Sequence, residues 1–453
     1  MTHILIKNVG PIKNVELDLN KINVFMGPQS SGKSTIAKII SYCSWYEKNT
    51  ILGSRPNINF YKDLLGFHNL EDNYFNEESL IEYKSPNCHI IFKGNRKEDV
   101  SVVTKVGPKR VFRNEKIEYI PAERNVVAIS GIGQYVESKN NILSFLYDWF
   151  RAKRGKKVNT KYYLPLKSLN NVAYYYIQDE DTDKLVLEDG KEIKLQNASS
   201  GLISVTPLLL VYNYVINEIY DEKRTQTPFE IINLQSKAES FDEDTRDAIN
   251  EVLGKINDTK TKMNETKQRI TEITSLGEDI PKQLIFELNR IKKELEKIET
   301  LTDVSQNEFA KAIGYDAEYC YSKVIIEEPE LNLFPKAQQD LVYYMLEELV
   351  NVKRDNQLVI TTHSPYILFA LNNCMMGGLV KKNIPAKERK GFISFNSWID
   401  PQKVSIYEIH DGELKSIQDE DRIIEDNYLN KAYKENSAEY ISLLNYYEDS
   451  DEK

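Results

Sequence analysis

The segment that most restricts this chain is Gly27-Pro28-Gln29-Ser30-Ser31-Gly32-Lys33-Ser34-Thr35. Gly27, Gly32, Lys33 and Ser34 satisfy the spacing G-x-x-x-x-G-K-[ST]. The run "INVFM" before it reads as a buried strand, and Ile36, Ile39, Ile40 and Cys43 after it are spaced for one helix face. A strand, a glycine-rich turn and a helix in that order aim backbone N–H groups at a phosphate bound at the helix N-terminus. Lys33 then supplies a point charge to the β and γ phosphates, and the Ser34 hydroxyl ligates Mg²⁺. Ser30, Ser31 and Thr35 complete the loop. ATP and Mg²⁺ are therefore the expected cofactors. Upstream, "ILI" and "VELDL" read as two further strands, with Val15, Leu17 and Leu19 on one face.

Such a loop needs a second strand ending in a carboxylate that can hold the water shell of the metal. "KVIIEEPELNLFP" (323–335) supplies one, because the apolar run Val324-Ile325-Ile326 stops at Glu327 and Glu328. Position gives Glu327 the metal role. A third buried-strand pattern, Leu358-Val359-Ile360, runs into Thr361, Thr362 and His363. A histidine at the end of a strand beside a nucleotide can donate to the γ-phosphate.

The stretch "NVGPIKNVELDLNKINVFMGPQSSGKST" resembles the opening of the ABC-class ATPases related to SMC, Rad50, RecF and the overcoming-lysogenization-defect proteins. That resemblance implies an α/β fold: an ABC-type ATPase head, with a RecA-like core, an antiparallel β portion and a helical coiled-coil insertion. It also implies that Glu328 orients and polarises the attacking water, as the second acid of the family's pair does, and that His363 is the switch histidine. The family's first acid is usually Asp, so Glu327 is one methylene longer. "EPELNLFP" is similar to a run lining the dimer interface in this branch, which leaves Glu330 either at that seam or as a charge near a helix N-terminus. Ser199-Ser200-Gly201, opening an apolar helix pattern, resembles a diverged signature motif that reaches the nucleotide of a second subunit, although Ser-Ser-Gly before a helix is also ordinary capping. The order of these motifs implies a homodimer or higher homo-oligomer with ATP sandwiched between protomers. The glutamine-loop region corresponds to "IEYIPAERNVV", where Glu123 and Arg124 follow a strand and Gln134 is the nearest glutamine; no role is assigned there.

The expected organisation is an N-terminal part of the head over 1–235, a coiled-coil hairpin over 236–305 and a C-terminal part over 306–453. In the hairpin, Leu284, Leu288, Ile291, Leu295 and Ile298 form a heptad seam with Pro281 starting the helix. In the first arm Ile249, Leu253, Ile256, Met263 and Ile270 fit the seam and Lys260 and Lys267 interrupt it. Two surface helices packed on the head are the alternative. Asp-Gly turns in "KLVLEDGKEIKL" and "VSIYEIHDGELKSI" mark two β-hairpins.

The formal net charge of the 453 residues is −10, which gives no general attraction to nucleic acid or an anionic membrane. A local basic run, Arg151 to Lys161, could contact DNA or could be a solvated loop. No membrane span or signal peptide is evident, so a cytoplasmic location is expected. Cys43, Cys88, Cys320 and Cys374 lack Cys-x-x-Cys spacing, which excludes a zinc hook and leaves buried neutral thiols. Ninety residues after His363 are short for a topoisomerase–primase nuclease domain, and the metal-binding acids of one are missing. The resemblance therefore points to the ATPase subunit of an antiphage system of the Septu or PARIS type, with a separate nuclease or toxin as partner. The alternative is a RecF- or Rad50-like DNA-maintenance ATPase that binds DNA directly.

Overall fold

The computed structural model describes residues 2–52, 58–94, 100–104, 113–129, 140–154, 160–177, 180–220, 243–275, 284–295, 298, 319–444 and 446. Eleven strands form one sheet. Its antiparallel side comes from β1 (Thr2–Val9), β2 (Ile12–Leu19), β4 (Phe75–Lys84), β5 (Cys88–Lys93) and β6 (Val100–Thr104). Its parallel side comes from β3 (Ile22–Met26), β7 (Glu115–Ile120), β12 (Tyr321–Glu327), β13 (Gln357–Thr362) and β14 (Val404–His410). β15 (Glu413–Ser416) joins the two, giving the order β6-β5-β4-β1-β2-β15-β14-β3-β13-β12-β7. A second sheet of four short strands holds β8 (Tyr162–Tyr163), β9 (Ala173–Ile177), β10 (Thr182–Val186) and β11 (Glu192–Lys194). The fold is α/β, as the resemblance implies.

Periodicity explains which side each strand joined. β2 alternates buried and exposed residues toward its end, as an antiparallel strand with one wet face does. All five residues of β3 are buried, because helices cover both faces of the parallel half. One face carries α1 (Lys33–Leu52) and α2 (Phe60–His68), whose Ile36, Ile39, Ile40, Phe60 and Leu64 pack with Phe25, Ile325 and Val359. The other carries α3 (Asn141–Arg154), α4 (Ser200–Ile216), α7 (Pro335–Asn351) and α8 (Pro365–Val380), over Val24, Ile326 and Ile360. α4 is apolar enough in composition to cross a membrane, but most of it is buried here as a core helix. Both Asp-Gly hairpins form, β10 with β11 and β14 with β15. At the second turn Asp411 and Gly412 take φ of 50° and 79°, and a Cβ on Gly412 would lie 2.6 Å from the Pro11 carbonyl oxygen.

In α5 (Glu243–Ser275) the positions Ile249, Leu253, Ile256, Lys260, Met263, Lys267 and Ile270 are all buried or half-buried. Their spacing alternates four and three, so Lys260 and Lys267 lie within the seam rather than interrupting it. In α6 (284–295) the half-buried positions are Ile285, Leu288, Lys292 and Leu295. This corrects the expected seam: Leu284, Ile291 and Ile298 are exposed at 48%, 44% and 46%. The two rows share Leu288 and Leu295. Pro281 and Gln134, together with much of the 236–305 segment, lie outside the described residues. Cys43, Cys88 and Cys374 are buried, whereas Cys320 is exposed. Burial pushes the Cys88 thiol up to about 12.

Candidate functional site

Three parallel strands end on one edge of the sheet. Thr362 is in register with Met26, and Glu327 with Thr361, so the loops after β3, β12 and β13 leave side by side. Those loops carry Lys33, the three glutamates and His363. Ligands of open parallel sheets bind at such a carboxyl edge.

The loop after β3 depends on its glycines. Gly27 has φ of 148°, and a Cβ there would sit 2.3 Å from the Ile409 carbonyl oxygen. Gly32 has φ of 107°, with Ile12 crowding the same direction. Ser30 adopts φ of 61° between them, and Lys33 opens α1. The Lys33 ammonium is buried and donates back to its own loop, to the carbonyls of Gly27 at 3.0 Å and Pro28 at 2.6 Å. Burial lowers its pKa to about 8, although Glu328 and Glu330 pull the other way. The ammonium also donates to the Ser31 hydroxyl at 3.4 Å, and a cation held by neutral oxygens of its own loop can exchange them for phosphate oxygens.

On the opposite lip Glu327 is buried, and its Oε1 has no hydrogen-bond partner among the described residues. An orphaned buried carboxylate oxygen fits a cation or its water shell, so Ser34 and Glu327 are the groups available to hold Mg²⁺. Glu328 is half-exposed and lies 3.4 Å from His363 Nε2. His363 first, with Lys33 and Arg124 adding to it, keeps the Glu328 carboxyl below its usual range. Its backbone is in the left-handed region at φ 43°, which is uncommon for a residue with a side chain.

Two residues do work that the sequence did not announce. Glu330 is half-buried, and its carboxylate turns inward to accept from the Thr362 hydroxyl at 2.8 Å and the His363 backbone N–H at 2.6 Å. Burial raises its pKa while those bonds oppose the rise. Arg124, in the turn Ala122–Ala128 after β7, is fully buried and donates to the carbonyls of Glu327 and Glu328. Desolvation lowers its pKa to about 10, so it stays charged at neutral pH. The Arg in "PAERN" is visible in the sequence, but nothing there joins it to a segment some two hundred positions downstream.

Ser199 caps α4 by accepting from the Leu202 N–H at 3.4 Å, and Ser199 and Ser200 are both exposed. Gly201 has no room for a side chain, since a Cβ would lie 2.8 Å from the Asn332 carbonyl oxygen. The glycine thus lets the start of α4 close onto the loop that follows Glu330. Within the basic run, one charge is taken up internally. Lys153 is buried in ion pairs with Asp181 and Asp183, both at 3.2 Å, and its ammonium lies 4.2 Å from the Tyr176 ring centre. Lys156 and Lys157 lie outside the described residues.

Residues 318–368 match the AAA ATPase domain family. The AAA ATPase match spans β12, Glu327, Glu328, Glu330, β13 and His363. Among solved structures, the chain is similar to the SMC head domain from Thermotoga maritima, at 9% identity and a TM-score of 0.35, covering 92% of this chain and 98% of that one. It is also similar to the recombination mediator RecF, at 12% identity and a TM-score of 0.25, covering 92% and 97%. A dimeric ATP-binding cassette bound to ADP and Pi is similar at 12% identity and a TM-score of 0.24, covering 92% and 99%. No curated protein matches the chain in sequence.

Proposed function

We propose that this chain is an ABC-class ATPase that hydrolyses ATP to ADP and phosphate within a homo-oligomer. The observation that carries the reading is the common edge of β3, β12 and β13, which gathers Lys33, Glu327, Glu328 and His363 from segments far apart in the chain. Gly27, Ser30, Ser31, Gly32, Lys33, Ser34 and Thr35 hold the phosphates, and Ser34 and Glu327 hold Mg²⁺. The metal, when bound, neutralises charge developing on the β and γ phosphate oxygens. Glu328 accepts a proton from the attacking water as the water oxygen bonds to the γ-phosphorus and the bond to the bridging oxygen breaks. His363 orients that water and contacts the γ-phosphate. Exposed Ser199 and Ser200, with Gly201, complete the site of a second protomer. Phe334, 84% exposed just after Glu330 and Asn332, supports an intermolecular surface beside the site.

The heptad-spaced burial along α5 supports a coiled-coil arm within 236–305, the segment between the two parts of the head. For the biological role, we favour an antiphage sensor subunit that controls a separate nuclease or toxin. The internal pairing of Lys153 supports this over direct DNA clamping, because it removes a charge from the basic run. ATP-dependent, salt-sensitive DNA binding by the isolated protein would reverse that preference. The ATPase reading is tested with Glu328→Gln, which should bind ATP and accumulate a closed dimer without turnover. A normal hydrolysis rate in that variant refutes it.

A further inference from the structure

Arg124 has five acceptors among the described residues, and every one is a main-chain carbonyl. Its Nε donates to Ser204 at 3.2 Å, and one terminal nitrogen donates to Pro121 at 3.2 Å and Glu327 at 2.9 Å. The other reaches Glu328 at 2.8 Å and Pro329 at 3.5 Å. A guanidinium is a planar fork of five N–H donors, and only that shape can bridge carbonyls diverging from three chain segments. Pro121 and Ser204 belong to the scaffold, at the end of β7 and in α4. Glu327, Glu328 and Pro329 are the segment being held.

That segment is strained where it is held. Glu328 sits at φ 43°, a conformation that is costly for a non-glycine residue and persists only when its surroundings impose it. The surroundings here are three hydrogen bonds. Its N–H donates to the Thr361 carbonyl at 2.9 Å, and its carbonyl accepts from the Leu331 N–H at 3.0 Å within the local turn and from Arg124 at 2.8 Å across the fold. With both peptide groups fixed, the side chain lies 3.4 Å from His363 Nε2. We infer that Arg124 is a positioning residue for hydrolysis: its guanidinium holds the Glu328 backbone in the left-handed conformation that points the carboxylate at the attacking water. The inference rests on the ATPase reading above. Arg124 touches neither the phosphate loop nor Ser34 among the described contacts, so it acts on the site through the backbone of residues 327–329.

The experiment compares wild type, Arg124→Lys, Arg124→Gln, Glu328→Gln and the double variant Arg124→Lys/Glu328→Gln in the full-length chain. Phosphate release gives kcat, a fluorescent ATP analogue gives the dissociation constant, and thermal unfolding reports folding. A lysine keeps the charge but cannot span the carbonyls, so Arg124→Lys should lower kcat by about 100-fold, the cost of an ångström-scale misplacement. Its affinity for the analogue should stay within about threefold of wild type. The double variant should bind the analogue as Glu328→Gln alone does, because the carboxylate that the clamp serves is already gone. Wild-type kcat in Arg124→Lys overturns the inference. So does a parallel loss of binding and turnover in both arginine variants, which would mean that Arg124 only supports the fold. If wild type itself releases no phosphate, the ATPase reading falls and takes this inference with it.

Discussion

The buried carboxylate of Glu330 accepts the backbone N–H of His363 at 2.6 Å and, through the same oxygen, the Thr362 hydroxyl at 2.8 Å. A glutamate from the loop after β12 therefore sets the path of the loop after β13. The histidine that faces Glu328 is presented by a glutamate two positions past Glu328 itself.

Replacing Glu330 with alanine leaves the Thr362 hydroxyl and the His363 N–H without that acceptor. Each orphaned polar group costs about 1 to 3 kcal/mol, so Glu330→Ala should lower the unfolding temperature by several degrees. Turnover should fall as well, because the histidine loop loses its anchor. Glu330→Gln, which keeps one acceptor oxygen, should recover much of both in the same thermal melts and phosphate-release assays.

Lys33 predicts a pH limb. Burial lowers its pKa to about 8 in the free protein, and bound phosphate favours the charged form. Affinity for ATP should consequently weaken as pH rises above about 8. The stability term has a related sign: a depressed folded pKa means that burying the ammonium costs stability below the folded value, and that this cost fades as pH climbs toward the ordinary lysine range. Titrating the ATP dissociation constant from pH 7 to 9.5 checks the first statement. Lys33→Arg, charged throughout, should show no such limb.

Gly377 lies in α8 against Trp398, where a Cβ would come within 2.1 Å of the indole nitrogen. Trp398 is itself held by a hydrogen bond to Ser394 at 3.0 Å, so the ring cannot simply swing away. Gly377→Ala should destabilise the protein by about 1 to 3 kcal/mol, the usual cost of overpacking, despite the better helix propensity of alanine. Chemical denaturation of the two forms measures it.

Lys260 and Lys267 occupy seam positions of α5 at half-buried sites. Polar residues in a heptad seam lower stability while restricting register. Lys260→Leu and Lys267→Leu should each raise the thermal stability of the helical segment, followed by circular dichroism, and the pair together should promote self-association visible in light scattering.

The sequence alone carries the loop proposed to hold phosphate, because its pattern lives in consecutive residues: two glycines freed from Cβ constraints, a lysine and a serine at the start of a helix. It also carries Glu327, Glu328 and His363, since each ends an apolar strand of the length a buried parallel sheet requires. The hairpins at Asp189-Gly190 and Asp411-Gly412 are legible for the same reason, being local turn chemistry. What only the tertiary structure decided is how those strand ends assemble. The sheet order places β13 between β3 and β12, and this brings Glu330 under the His363 loop and Arg124 behind the Glu328 backbone. Both are polar groups buried against partners remote in the chain, and no periodicity or spacing encodes a bond to a main-chain carbonyl. The half-buried row of α6 and the burial of Lys153 are likewise not legible in the sequence, because a long cationic side chain exposes or buries its methylene stem according to what packs beside it. Short-range stereochemistry is written residue by residue, whereas the direction of a buried charge depends on which segments the fold brings to it.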